Sequence, residues 1–98
     1  MSTVSDNFRT AYASAFQEYV SGLAGERGLE RAYELGRAAL AAGLSLLTLV
    51  RVHHDVLTGV LRDTPADEVS SVAGAASDFL LEVLASYDMV QRGFREDT

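Results

Sequence analysis

The residues with the most obvious chemical potential are two adjacent histidines and the acid after them, His53, His54 and Asp55. Metal ligands carried on one helix recur at i and i+3 or i+4, because neighbours in sequence diverge by about 100° around the axis. No Asp, Glu or second His stands four residues from either histidine, so the run does not build a metal site. His53 falls in the middle of an apolar stripe, which favours a hydrogen-bonded core or interface histidine. A pH-sensitive role is the second reading, since imidazole changes charge near neutrality. Serine nucleophiles lack a triad, because both histidines belong to the same segment. Cysteine is absent, which removes thiolate catalysis, disulfides and thiolate zinc sites together. The acids fall at helix starts and on polar faces, as Glu26 and Asp67-Glu68 do, and not as a facing pair for general acid–base work. Gly22, Gly25 and Gly28 form a glycine-rich stretch without a phosphate-loop lysine or a preceding strand, and read as a turn. No catalytic residue, metal ligand or cofactor is expected.

A recognition role is what remains, and composition narrows its kind. The chain has 98 residues, one domain's worth, and 48% of them are apolar. Its 14 acidic residues against 8 basic ones give a formal net charge of −6, and lysine is absent. Nucleic-acid domains gain affinity by neutralising phosphates with basic side chains, so neither nucleic acid nor an anionic membrane is an expected partner. No apolar run is expected to reach the ~20 residues that span a bilayer. The N-terminus lacks the basic and apolar regions of a signal peptide, and a cytoplasmic location is expected.

The elements that must position these residues are all helical. In the first segment Phe8, Tyr12, Ala15, Phe16, Tyr19 and Leu23 lie in one stripe, with Thr3 and Asp6 as a start signal. A second helix is expected over residues 26–42, with Leu29, Ala32, Tyr33, Gly36, Ala39 and Leu40 on a face and Gly43 as its stop. The small residues Gly36 and Ala39 would let a neighbouring helix come close. Ser45 can cap a third helix whose buried side is Leu46, Leu49, Val50, His53, Val56, Leu57, Val60 and Leu61. Thr64-Pro65-Ala66-Asp67 supplies a cap hydroxyl, a proline at the first helical position and an acid for a fourth. That helix keeps phase almost to the end, ~30 residues and ~45 Å if unbroken. The expectation is an all-α, four-helix antiparallel bundle with a long C-terminal helix.

The long helix carries more apolar surface than three shorter neighbours can cover. Leu80, Val83, Leu84, Tyr87, Val90 and Phe94 are expected to carry self-association into a homodimer. Leu81 and Met89 point away from that stripe and, with Ala85 and Arg92, make a second face flanked by Asp78 and Asp88. Leu35 is off-stripe on the second helix, and Tyr33 is either core or the aromatic anchor of an interface. Tyr33, Leu35, Leu81, Met89 and Arg92 are therefore the expected partner-binding residues.

A resemblance gives this patch a candidate partner. Residues 32–37 (Ala-Tyr-Glu-Leu-Gly-Arg), 43–47 (Gly-Leu-Ser-Leu-Leu) and 50–54 (Val-Arg-Val-His-His) are followed by 79–85 (Phe-Leu-Leu-Glu-Val-Leu-Ala) and 89–96 (Met-Val-Gln-Arg-Gly-Phe-Arg-Glu). This ordered series, over about residues 8–96, resembles the N-terminal domain of the RsbU phosphatase family, most closely its actinobacterial members. Relatives commonly place a proline and an aromatic before the position of Met89, where this chain has Ala85-Ser86-Tyr87-Asp88, a run that continues a helix more easily. The resemblance implies a dimer-forming four-helix domain that binds the switch kinase RsbT or a homologue. Through that capture it would turn on a serine phosphatase in the bacterial stress-response sigma-factor pathway. The alternative is a dimerisation or sensor module of a histidine kinase.

Overall fold

The computed structural model describes residues 3–96, with side-chain exposure for residues 6–93. It contains four helices: α1 (Thr3–Val20), α2 (Gly28–Ala41), α3 (Leu46–Arg62) and α4 (Val69–Glu96). Short 3₁₀ turns, Gly25–Arg27 and Ala66–Glu68, lead into α2 and α4. The described residues contain no strand. The helices alternate in direction, and α4 runs unbroken for 28 residues. At 1.5 Å per residue that is about 42 Å, which accounts for most of the 49 Å long axis of a body 49 × 32 × 18 Å.

The breaks between helices follow from local chemistry. Gly22 (φ 81°) and Gly43 (φ 76°) adopt the left-handed conformation that ends α1 and α2. Because the chain turns at Gly22, Leu23 leaves the α1 stripe in which it was expected and is 81% exposed. Ser45 caps α3 as expected: its hydroxyl accepts from the Thr48 backbone N–H at 3.1 Å. Ser45→Ala is expected to lower stability by about 1 kcal/mol, measured by chemical denaturation. Thr64 does not cap α4. Its hydroxyl donates back to the Val60 carbonyl at 2.7 Å, satisfying an end carbonyl of α3, and α4 begins after the intervening 3₁₀ turn. The Thr3 side chain lies outside the described residues.

The core is built around aromatic rings. Tyr12, Phe16 and Phe79 are all inaccessible to solvent. The Phe79 ring meets Tyr12 and Phe16 edge-on, with centroids 5.3 and 5.6 Å apart. Ala15, Ala32, Ala39, Leu49, Val52, Ala76 and Val83 fill the space around them. The most extensive helix contact is between α2 and α4, which run parallel and pass at Gly36. There the buried Ser86 hydroxyl donates to the Tyr33 carbonyl at 2.7 Å, in the close approach that small residues on α2 were expected to permit. The buried face of α2 consists of Gly28, Ala32, Leu35, Gly36 and Ala39. Leu29 and Tyr33, expected on that face, stand at its edge, exposed and half-buried respectively.

By length and composition the segment Ala66–Gly93 is apolar enough to cross a bilayer, with a best-window mean hydropathy of 1.3, which corrects the expectation that no segment would be. Its two faces differ, however. Ala76, Phe79, Val83 and Tyr87 enter the core, while Ser77, Asp78 and Asp88 are exposed. That is the period of a helix half in a core and half in water.

Candidate protein-interaction surface

The exposed face of α4 follows from its register. With Val83 and Phe79 inward, residues 78, 81, 85, 88 and 92 fall on the opposite side. Leu81 is 65% exposed there and Met89, on the adjoining flank, 57%. Around them Asp78 and Asp88 are exposed and Glu82 half-buried. Arg92, also exposed, pairs with Asp88 one turn earlier at 3.1 Å. The surface therefore offers two large apolar side chains in an acidic rim, and the arginine is partly neutralised in place. A partner fitting it would bring apolar side chains bordered by basic ones.

The five expected docking residues do not form one patch. Leu81, Met89 and Arg92 are accessible, and Tyr33 is half-buried. Leu35 is only 9% exposed and belongs to the core, which removes it from any docking surface. Its reason is that α2 has two neighbours: Gly36 turns toward α4, and Leu35 fills the side toward α1, beside Ala11 and Ala15.

The expected self-association residues divide as well. Val83 at 0% and Tyr87 at 6% exposure are core residues, and the Tyr87 hydroxyl donates to the Leu44 carbonyl at 2.9 Å. Neither is free to meet a second copy. Leu80, Leu84 and Val90 are half-buried and remain accessible. The Phe94 side chain lies outside the described residues.

Sequence reasoning missed a third set. Leu46, Leu47 and Val50 on α3 are 50%, 78% and 38% exposed, although Leu46 and Val50 were expected on its buried side. Only Leu49, Val52 and His53 of that helix are buried. Leu57 and Leu61, half-buried, continue the flank begun by Leu46 and Val50 at helical spacing. The signal available was the width of the apolar arc, since Leu46, Leu47, Leu49, Val50 and Val52 spread farther round the helix than one neighbour covers.

Among the described residues no group of three His, Cys, Asp or Glu side chains stands close enough to hold a metal. A groove of about 310 Å³ where the end of α1 meets the α3–α4 corner has Val20, Val60 and Val72 along it and Asp63 and Glu68 at its edge, both carboxylates in open solvent.

His53 is buried, as its place in the stripe suggested, and shares a 2.6 Å hydrogen bond with the Tyr12 hydroxyl. Burial lowers the imidazole pKa below its usual value, with the neighbouring His54 adding to the effect, and burial raises that of the Tyr12 phenol.

No curated protein and no solved structure matches the chain. A family profile does match, over residues 10–90, and its description is "Phosphoserine phosphatase RsbU, N-terminal domain". That domain is the regulatory part of the phosphatase and not its catalytic part. The match takes in α2, α3 and most of α1 and α4, so the chain belongs to the family of the RsbU N-terminal regulatory domain.

Proposed function

We propose that this domain works by recognition alone: it dimerises and captures a switch kinase of the RsbT type, and so regulates a serine phosphatase of the bacterial stress response, in the cytoplasm. The observation that carries the reading is the exposure of Leu81 and Met89 on one helix of a chain in this family. Apolar side chains ringed by polar ones match the apolar core and polar rim of a protein interface. Capture of the partner stabilises one arrangement of the domain, and the coupling reaches the phosphatase as a difference in partner affinity between its states. With Leu35 in the core, the docking surface reduces to Leu81, Met89 and Arg92, and Tyr33 contributes at most its exposed edge.

Binding to a purified RsbT homologue, measured by titration calorimetry, tests the reading. Leu81→Asp together with Met89→Asp is expected to weaken it at least tenfold, about 1.4 kcal/mol, with the thermal melt unchanged. Unaltered binding by a folded double variant would overturn it.

The second reading, a dimerisation or sensor module of a histidine kinase, draws on the exposed Leu46, Leu47 and Val50 of α3. Both readings expect a dimer by sedimentation at micromolar concentration and assign Leu80 and Leu84, which stay accessible, to its interface. Only the first expects an RsbT homologue to bind.

A further inference from the structure

Tyr12 and His53 join α1 to α3 through a bond between two buried side chains. The His53 tautomer sets the direction of that bond; the phenol has no other hydrogen-bond acceptor among the described residues, so the tautomer that satisfies its O–H is the one with an unprotonated Nδ1. We infer that this pair is an acid-sensitive latch for α3: proton uptake at Nδ1 removes the acceptor of the buried phenol and releases α3 from α1, while α2 and α4 stay packed. A protonated Nδ1 and a phenol O–H are both donors facing each other. Either the phenol turns its hydrogen into a site without an acceptor or the two side chains part.

Several observations place the yielding element at α3. Of its apolar side chains only Leu49 and Val52 are buried, while Leu46, Leu47 and Val50 are exposed and Val56, Leu57, Val60 and Leu61 half-buried. The other polar side-chain tie to α1 among the described residues is the bridge from Arg9 to Asp55 at 3.2 Å, with both side chains nearly half in solvent. Exposed pairs of that kind contribute little. The α2–α4 pair, by contrast, is locked by the Gly36 crossing and the buried Ser86 hydrogen bond.

Among the described residues no carboxylate forms an ion pair with the imidazole. α1 presents Tyr12, Phe16 and, a turn earlier, the cationic Arg9. α3 presents His54, and its Asp55 is engaged by Arg9. α4 approaches through Phe79, and the acids beside it, Asp78 and Glu82, form no ion pair with His53 among the described residues. The folded-state pKa lies below the unfolded one, so the stabilisation is complete above the unfolded value, near 6.5, and is lost as pH falls below it.

Amide hydrogen exchange of the full chain at pH 7.5 and 5.5, expressed as protection factors, tests the latch. An open state with an ordinary histidine predicts a loss of α3 protection of up to about tenfold between these values, with α2 and α4 unchanged. His53→Gln keeps an acceptor for Tyr12 and cannot titrate, so its α3 protection should not respond to pH. Constant α3 protection in the parent overturns the inference. So does a loss that persists in His53→Gln, or an equal loss in all four helices. If His53→Gln fails to fold, NMR titration of the parent decides: an imidazole midpoint at or above the free value rejects the latch, and a lowered midpoint tracked by the α3 amides supports it. The latch does not depend on α4 taking a partner, so its failure leaves the function proposed above intact.

Discussion

Gly36→Ala is expected to destabilise the domain by about 3 kcal/mol or more. At an exposed helical position the same change stabilises by roughly 1 kcal/mol, because alanine loses less backbone entropy on folding. The sign reverses at Gly36 because of what a Cβ would meet: the Ser86 hydroxyl and the Val83 carbonyl oxygen directly, with the Tyr87 backbone nitrogen 3.0 Å away. The hydroxyl could swing aside only by giving up its bond to the Tyr33 carbonyl, and the carbonyl oxygen belongs to the backbone of α4. The two helices would have to separate along their most extensive contact. Gly74 supplies the control, since it lies in α4 with nothing within 4 Å of a built Cβ. Chemical denaturation of the two variants should therefore move in opposite directions, Gly74→Ala gaining roughly what propensity predicts. Adding Ser86→Ala to Gly36→Ala should restore only part of the loss, because the Val83 carbonyl remains. A Gly36→Ala protein as stable as its parent would show that the helices do not pass at this point.

How much of this was legible in the sequence differs from residue to residue. Gly43 and Ser45 announced the end of α2 and the start of α3 because their signals are local: a left-handed glycine and a hydroxyl that accepts from the third residue on. Gly36 was legible as a close approach, but Ser86, the residue it approaches, was not, since pairing across helices is not written in periodicity. Leu35 was misread because the phase of α2 was judged against one buried face, whereas the helix has neighbours in two directions and hides a wider arc. Val83 and Tyr87 were misread for a related reason. A helical stripe shows which side chains leave water but not whether they meet their own chain or another. The opposite error occurred on α3, where Leu46 and Val50 share the stripe of Leu49 and His53 yet remain exposed. Leu81 and Met89 were legible as exposed because they break the α4 register, which is the kind of residue that local pattern alone identifies.

Phe79→Ala is the second substitution with a large expected effect, a loss of about 3–5 kcal/mol. The ring is inaccessible to solvent and stands among Tyr12, Phe16 and Tyr19, with centroids 5.3 to 5.6 Å away. Truncation removes the aromatic contacts and leaves a cavity that the rings of α1 cannot fill without shifting the Tyr12–His53 bond. A domain of this size has typically 5–15 kcal/mol in hand, so the variant should retain helix but lose much of its cooperative melt. Leu81→Ala, two residues along, touches the opposite side of the same helix, where a 65% exposed side chain is expected to change stability by no more than about 0.5 kcal/mol. Circular dichroism melts of the pair separate the two sides of α4. The inward side holds the bundle together, and the outward side is left unconstrained by folding. If Leu81→Ala proves as damaging as Phe79→Ala, then Leu81 is part of the core and the docking surface drawn on α4 does not exist. If it is silent in the melt and weakens partner binding, then the exposed leucine is there for recognition, since the fold alone gives no reason for an apolar side chain at that position.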